Sequence, residues 1–193
     1  MENVNFKQKT LYFLKKYGYY LLVGFMTLSV ALTLIIVGVI ANKSEKDVVP
    51  SNASISPFLP VLNATMYKEY FDDTLVFNST LKQWETHDGI DLQVASGSNV
   101  YSILDGEVID VYTNVLEGTV VVVEHNGGLT SCYGSLDNDV EVVVGDSVSR
   151  GDILGTVSTS STAELDAGAH LHFSMLDNGK SIDPAAYLNI SSK

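Results

Sequence analysis

The chain has 193 residues and a formal net charge of −12, with 23 acidic against 11 basic residues. This length allows one ordinary domain plus appendages. The acidic balance argues against nucleic acid as a partner, because phosphate binding requires a basic face. The single cysteine, Cys132, excludes an intrachain disulfide.

The first predicted element is a membrane span at residues 17–41, a stretch without charged side chains. About 20 apolar residues cross a bilayer as a helix, whereas a cleavable signal has a shorter apolar region followed by small residues. We therefore expect an uncleaved signal anchor. Four lysines precede the span within residues 1–16, and basic residues favour the cytoplasmic side. This asymmetry predicts a cytosolic tail at 1–16 and a C-terminal domain outside the cytosol.

Residues 42–65 are predicted to be a linker. They hold three of the four prolines, with serines and asparagines between them, and this composition is typical of an extended spacer. The folded domain is then predicted to cover residues 66–193, with the aromatic-rich segment 66–77 at its entrance.

The rest of the chain has a β pattern. Short runs rich in Val, Ile and Tyr recur between Gly, Asp and Asn residues, and no convincing helical period follows the span. The predicted strands are 75–78, 90–94, 100–103, 106–113, 119–125, 129–134, 140–144, 153–157 and 170–176. The sequence therefore predicts a mostly β domain, an antiparallel β-sheet or sandwich, behind one N-terminal transmembrane helix.

Two of the four histidines alternate with apolar residues in the segment 170–173, which reads His-Leu-His-Phe. Side chains at i and i+2 of a strand lie on one face, about 6–7 Å apart, so both imidazoles are expected in one pocket. His87 and Asp91 offer a third imidazole and a carboxylate, provided that the backbone bends at Gly89. Two imidazoles and a carboxylate, with a fourth position left to water, form a catalytic type of zinc site. His125, beside a glycine turn, is expected to be structural or solvated.

Residues 84–188 resemble the lysostaphin/LytM-type zinc peptidase family of cell-wall hydrolases. The matching segments follow the family's order and are the first metal motif at 87–92, a hairpin at 100–108, a turn at 144–155, the second metal motif at 170–173 and the end at 183–187. The resemblance implies Zn²⁺ as the cofactor, with His87, Asp91 and His172 as its ligands. It also implies that His170 is one of two histidines that orient or deprotonate the attacking water.

The sequence departs from the family pattern at Ser135. The family has a second catalytic histidine in a Tyr-x-His-Leu motif, whereas residues 133–136 read Tyr-Gly-Ser-Leu here. A serine hydroxyl cannot act as a base near neutral pH, and losing one acid/base group typically costs about 10²–10⁴ in rate. Residues 161–168 are a second departure, since the hydrolases usually have a shorter glycine-rich turn there. The sequence therefore predicts an impaired catalyst.

The order of basic tail, single span, linker and altered LytM-like domain is similar to that of a sporulation branch of this family. That similarity implies a protein of the forespore membrane that acts in engulfment and in a forespore–mother cell channel. Its partner would resemble the stage III sporulation protein AH, bound across the intermembrane space. The alternative function is an active endopeptidase whose substrate is peptidoglycan, and Ser135 favours the first hypothesis. A biotinyl or lipoyl carrier would need a hairpin lysine that the sequence lacks.

Overall fold

The computed structural model describes residues 11–20, 22–29 and 56–190. The chain divides into two units, Met1–Ser54 and Ile55–Lys193. In the first unit, residues 11–20 and 22–29 are helical. Across the described residues, no helix has both the length and the apolar character needed to cross a membrane. The remaining parts of the predicted tail, span and linker, residues 1–10, 21, 30–41 and 42–55, lie outside the described residues.

The second unit is built mainly from β-strands. Their bounds are β1 Thr65–Lys68, β2 Phe71–Asn78, β3 Gln83–His87, β4 Gly89–Gln93, β5 Asn99–Tyr101, β6 Gly106–Asn114, β7 Gly118–His125, β8 Leu129–Leu136, β9 Ser147–Val148, β10 Ile153–Thr156, β11 His170–Asp177 and β12 Lys180–Ile182. A 3-10 helix covers Leu165–Ala167, and a short α-helix covers Pro184–Leu188.

One antiparallel sheet holds most of these strands. Its order is β1, β4, β11, β8, β7, β6 and β9, and β12 pairs with β11. The pairs β2–β3 and β5–β10 form two separate two-stranded sheets. The predicted mostly β, antiparallel architecture is therefore confirmed. Strands β4, β11 and β8 lie side by side, so the two histidine-bearing motifs become direct neighbours.

The alternation in β11 places its apolar side chains in the core. Leu171, Phe173 and Met175 are each 0 % exposed. The Phe173 ring packs against Tyr133 of β8, with ring centroids 5.2 Å apart. Burying a side chain of this size stabilises the fold by about 1.5–3 kcal/mol. A one-residue slip would turn all of these side chains out of the core, so the core fixes which residues of β11 face the opposite side.

Residues 140–144 do not form the strand that was predicted for them. Val143 and Val144 are exposed, and the chain turns at Gly145, where φ is 95°. The Val143 amide donates to the Asp146 carboxylate at 2.9 Å, a local bond that competes with strand pairing. The prediction was wrong because β propensity describes side chains on a half-buried pleated surface, whereas Val142 is the one buried residue of this segment.

The described part of the domain begins before the predicted boundary. The Phe58 amide donates to the Ile103 carbonyl at 2.8 Å, and Val61 is only 3 % exposed. Residues 56–64 therefore pack onto the domain, although their composition resembles that of a linker. Four strands, β1, β3, β9 and β12, were also not predicted, because each is short and has no alternating apolar pattern.

Candidate metal site

The predicted ligands come from the end of β3 and from two neighbouring strands, β4 and β11. Asp91 lies directly opposite His172 in the antiparallel register of β4 and β11. His87 ends β3, and the chain then turns into β4. A Cβ atom added to Gly89 would lie 2.7 Å from the Phe173 carbonyl oxygen and 2.9 Å from His172 Nε2. The sequence suggested that Gly89 permits a bend, and the structure shows that it also permits the close approach of β4 to β11.

The structure brings His87, Asp91 and His172 together and adds Glu164. Asp91 Oδ1 lies 3.3 Å from His87 Nε2 and 2.9 Å from His172 Nδ1. Glu164 Oε1 lies 3.5 Å from His87 Nε2, and Glu164 Oε2 lies 3.5 Å from His172 Nδ1. One ligand atom from each of the four residues lies within 4.8 Å of the others. We call these four residues the metal cluster.

Glu164 is not among the ligands predicted from the sequence, where the fourth position was assigned to water. Glu164 belongs to the inserted segment 161–168, where a single carboxylate among serines and threonines has no ligand spacing to identify it. It reaches the site because hydrogen bonds hold the segment to the end of β8, the β6–β7 turn, Asn78 and Gln93. Only the insertion itself, placed just before His170, could have signalled a residue that enters the pocket.

Two buried atoms of the metal cluster have no hydrogen-bond partner among the described residues, namely His87 Nε2 and Asp91 Oδ2. The two side chains are 4 % and 0 % exposed. Unpaired buried polar atoms cost about 1–3 kcal/mol each, unless a cation uses their lone pairs. Ligand atoms about 2.1 Å from one zinc ion lie about 3.4 Å apart at tetrahedral angles. The observed separations of 2.9 to 3.5 Å fit zinc.

Contacts on the far sides of the imidazoles fix the ring orientations. His87 Nδ1 lies 2.6 Å from the Glu69 carbonyl oxygen, so this nitrogen donates and Nε2 keeps its lone pair toward the cluster. His172 Nε2 lies 3.7 Å from the Asp88 carboxylate, and Nδ1 faces the cluster. Outer contacts of this kind set the tautomer of metal-binding histidines. His87 Nε2 therefore presents an acceptor nitrogen to a cation, whereas His172 Nδ1 is hydrogen-bonded to Asp91 Oδ1 at 2.9 Å and must give up its proton when a cation binds.

His170 lies beside the metal cluster and is 1 % exposed. Its Nδ1 lies 2.8 Å from the Gly168 carbonyl oxygen, and its Nε2 lies 3.3 Å from Glu164 Oε2. The predicted proton-handling nitrogen is therefore in contact with the Glu164 carboxylate. The structure brings His170 to the site, in contact with one cluster residue.

Ser135 is fully buried near the end of β8, with a φ of 62°. Its hydroxyl donates to the Ser158 carbonyl at 3.4 Å. Within residues 56–190, no hydrogen bond joins Ser135 to His170 or to the metal cluster. The hydroxyl is thus used to hold the segment that follows β10, and it supplies no base.

Within the metal cluster, the carboxylates favour the protonated imidazoles, and the imidazoles favour the ionised carboxylates. Burial raises the pKa of Asp91 and of Glu164, but hydrogen bonds from the histidines outweigh this and hold both pKa values below their ordinary range. Burial lowers the pKa of His87 and His172, but the facing carboxylates raise both above the ordinary value. A cation that binds here must displace those protons, so its affinity falls as the pH falls.

A cleft of about 530 Å³ opens next to the metal cluster, and its lining includes Asp91 and Glu164. Lys68 of β1 also lines it, and its ammonium lies 3.4 Å from Glu164 Oε1. The aromatic residues Phe71 and Phe77 form part of the wall. The cleft therefore joins the cluster to a half-apolar surface between β1, β2 and the 3-10 helix.

His125 belongs to a separate hydrogen-bond network. Its Nδ1 lies 3.0 Å from the Asp105 carbonyl oxygen, and its Nε2 lies 2.7 Å from the Ser131 hydroxyl. That hydroxyl is hydrogen-bonded to the Tyr133 hydroxyl at 3.0 Å, which also accepts the Ile103 amide at 3.0 Å. Burial lowers the pKa of His125 and keeps the ring neutral. This histidine is structural, as the sequence analysis expected.

Comparisons with known proteins point to one family. The sequence model described as Peptidase family M23 matches residues 85–184. Stage II sporulation protein Q of Bacillus subtilis (strain 168) is 33% identical over 103 residues, which are 52% of this chain and 36% of that protein. The chain thus spans about a third of that relative's length.

Solved structures show the same similarity. A chain in the SpoIIQ–SpoIIIAH pore-forming complex has a TM-score of 0.61 at 25% identity, covering 69% of this chain and 90% of its own length. A zinc-containing peptidase from Vibrio cholerae has a TM-score of 0.56 at 26% identity, covering 69% of this chain and 39% of its own length.

Proposed function

The chain belongs to peptidase family M23, and from this premise we propose that it is a zinc-binding member that recognises a partner protein and is impaired as a peptidase. His87, Asp91 and His172 would hold the zinc ion. The observation that carries the proposal is Ser135, at the position of the family's second catalytic histidine. Its buried hydroxyl donates to a backbone carbonyl, so it is not free to handle a proton.

Zinc at this site would supply a Lewis acid that polarises a carbonyl group and lowers the pKa of bound water. Hydrolysis also needs side chains that hold or move protons. Ser135 cannot accept a proton near neutral pH, and His170 Nε2 already contacts Glu164 at 3.3 Å. Losing one acid/base group alone costs about 10²–10⁴ in rate. We therefore propose that the metal stabilises the fold, because it would join the end of β3 to β4 and β11.

We further propose a role in sporulation, in engulfment and in a forespore–mother cell channel. The similarity to stage II sporulation protein Q and to a chain of the SpoIIQ–SpoIIIAH complex supports a partner resembling the stage III sporulation protein AH. In this proposal, residues 17–41 anchor the chain in the forespore membrane. The basic tail lies in the cytosol, and the β domain faces the intermembrane space.

A pair of substitutions in the full chain tests whether metal and partner binding are linked. His172→Ser removes a ligand, so it should lower both the zinc content and the affinity for the purified outer domain of the AH-like partner. His170→Ala spares the three predicted ligands and removes the remaining base, so it should leave both nearly unchanged. The measurements are elemental analysis and calorimetric titration. If His170→Ala abolished sporulation while zinc and partner binding survived, the site would be catalytic and the proposal wrong.

The second candidate function is an active peptidoglycan endopeptidase. The similarity to a zinc-containing peptidase and the buried His170 beside the predicted ligands favour it. Incubation of purified peptidoglycan with the full chain should release no muropeptides beyond those released by His172→Ser under the first proposal. Release above that control would replace the first proposal with the second.

A further inference from the structure

We infer that Glu164 is the fourth protein ligand of the metal site and closes it. This inference rests on the zinc binding proposed above. His87, Asp91, His172 and Glu164 each place a ligand atom within 4.8 Å of the others. Zinc with four protein ligands has the closed coordination of structural sites, whereas catalytic sites keep one position for water. Glu164 takes that position here.

The two Glu164 oxygens contact different imidazoles of the cluster. Oε1 lies 3.5 Å from His87 Nε2, and Oε2 lies 3.5 Å from His172 Nδ1. The Glu164 side chain is 13 % exposed, so it has lost most of its contact with water. His87 Nε2, which has no hydrogen-bond partner among the described residues, lies 3.5 Å from Glu164 Oε1 and 3.3 Å from Asp91 Oδ1. A mostly buried carboxylate beside an unpaired imidazole nitrogen is expected of a four-ligand cation site.

Hydroxyl groups hold the segment that carries Glu164. Ser160, Ser161 and Thr162 each donate a side-chain hydrogen bond to a backbone carbonyl, either at the end of β8 or in the turn between β6 and β7. The amides of Thr162 and Ala163 also donate to carbonyls of that turn. These bonds exist without any metal ligand taking part. The backbone just before Glu164 is therefore fixed by the fold.

Amide side chains hold the other side of the same segment. Asn78 Nδ2 donates to the Ala163 carbonyl at 3.1 Å, and Gln93 Nε2 donates to the Ala167 carbonyl at 2.8 Å. Both acceptors lie within three residues of Glu164. Binding a metal then costs little ordering of the chain, because folding has already positioned this carboxylate.

The charge balance also favours Glu164 as a ligand. The two positive charges of zinc equal the negative charges of Asp91 and Glu164, with both ring ligands neutral, and a buried ion is tolerated when it is paired. Lys68 lies 3.4 Å from Glu164 Oε1, and His170 Nε2 lies 3.3 Å from Oε2. The Lys68 ammonium orients the carboxylate as outer contacts orient other metal ligands.

Cobalt(II) substitution in the full chain tests the inference without relying on activity. Azide binds cobalt and shifts its visible absorption when a solvent position is open. The wild-type spectrum should not change with azide. Glu164→Ala should create an azide-dependent shift and lower cobalt affinity at least about 10–100-fold, which is the loss typical when a group that only orients a ligand is removed. Asp166→Asn is the matched control, since this exposed carboxylate lies two residues away and outside the cluster. It should behave as wild type.

Three results would overturn the inference. The first is an azide shift in wild-type protein that Glu164→Ala leaves unchanged, because the site would then be open and Glu164 free to act as a base. The second is unchanged cobalt affinity in Glu164→Gln, a variant that keeps the side-chain shape if the alanine variant does not fold. Both results leave zinc binding itself intact. The third is a wild-type chain that retains neither cobalt nor zinc, which would overturn the proposed function as well.

Discussion

Buried histidines belong to two separate polar groups in this domain, the His125 network and the metal cluster, and the two groups differ in whether their polar atoms have hydrogen-bond partners. In the His125 network, both ring nitrogens have partners, at 3.0 Å and 2.7 Å. In the metal cluster, His87 Nε2 and Asp91 Oδ2 have no hydrogen-bond partner among the described residues. The burial is similar, with His125 5 % and His87 4 % exposed. Burial alone therefore does not distinguish a structural histidine from a ligand.

The two groups differ because the metal cluster contains unpaired buried atoms and the His125 ring nitrogens are both paired. A fully satisfied polar network stabilises the fold by itself, whereas a partly satisfied one costs free energy until something pairs it. The His125 network needs no ligand because serine, tyrosine and backbone groups complete it. The metal cluster concentrates two carboxylates and two imidazoles, and two of its buried atoms have unused lone pairs. The comparison predicts that cations stabilise one group and leave the other unaffected.

Metal removal should have the largest effect on stability. A ligand at about 1,000 times its dissociation constant stabilises the folded state by about 4 kcal/mol. Chelation of the full chain at neutral pH should therefore lower its free energy of unfolding by about that amount, as measured by urea denaturation. His172→Ser should show little response to zinc or chelator. Identical denaturation curves with and without zinc in the wild type would contradict the distinction between the two groups.

The alternating β11 segment predicted the two imidazoles on one face and the apolar core behind them, because a strand has a period of two that is visible in the sequence. The pairing of β4 with β11 could not be read in the same way, since register depends on contacts between distant segments. Glu164 escaped prediction for the same reason. Its position depends on hydroxyl and amide contacts from β2, β4, β8 and the β6–β7 turn. Residues 140–144 show the opposite case. Their local β propensity predicted a strand, but the structure contains no strand there.

Ser131→Ala should have the next largest effect, confined to the other group. The substitution removes the hydroxyl that lies 2.7 Å from His125 Nε2 and 3.0 Å from the Tyr133 hydroxyl. A buried polar group that is left unpaired costs about 1–3 kcal/mol of stability. The free energy of unfolding should fall by that amount in urea, with and without zinc alike. The zinc content should remain that of the wild type. Loss of metal in this variant would mean that the two groups are coupled through β8, which separates β7 from β11 in the sheet.

The smallest predicted effect is on the pH dependence of the free energy of unfolding, to which the two groups contribute with opposite signs. Burial lowers the pKa of His125 below its ordinary value of 6.5, so the unfolded state takes up a proton more readily than the folded state. The stability that neutral His125 contributes is complete above pH 6.5 and is lost as the pH falls below it. Between pH 7.5 and 5.5, the free energy of unfolding of the wild type should therefore fall by at most about 1.4 kcal/mol relative to His125→Gln, which cannot titrate.

The raised pKa values of His87 and His172 act in the opposite direction in chelated protein, but they are common to both chains and cancel in the difference. Urea denaturation of both chains in chelator across this range measures that difference, and a flat or inverted one would show that His125 is charged in the folded state.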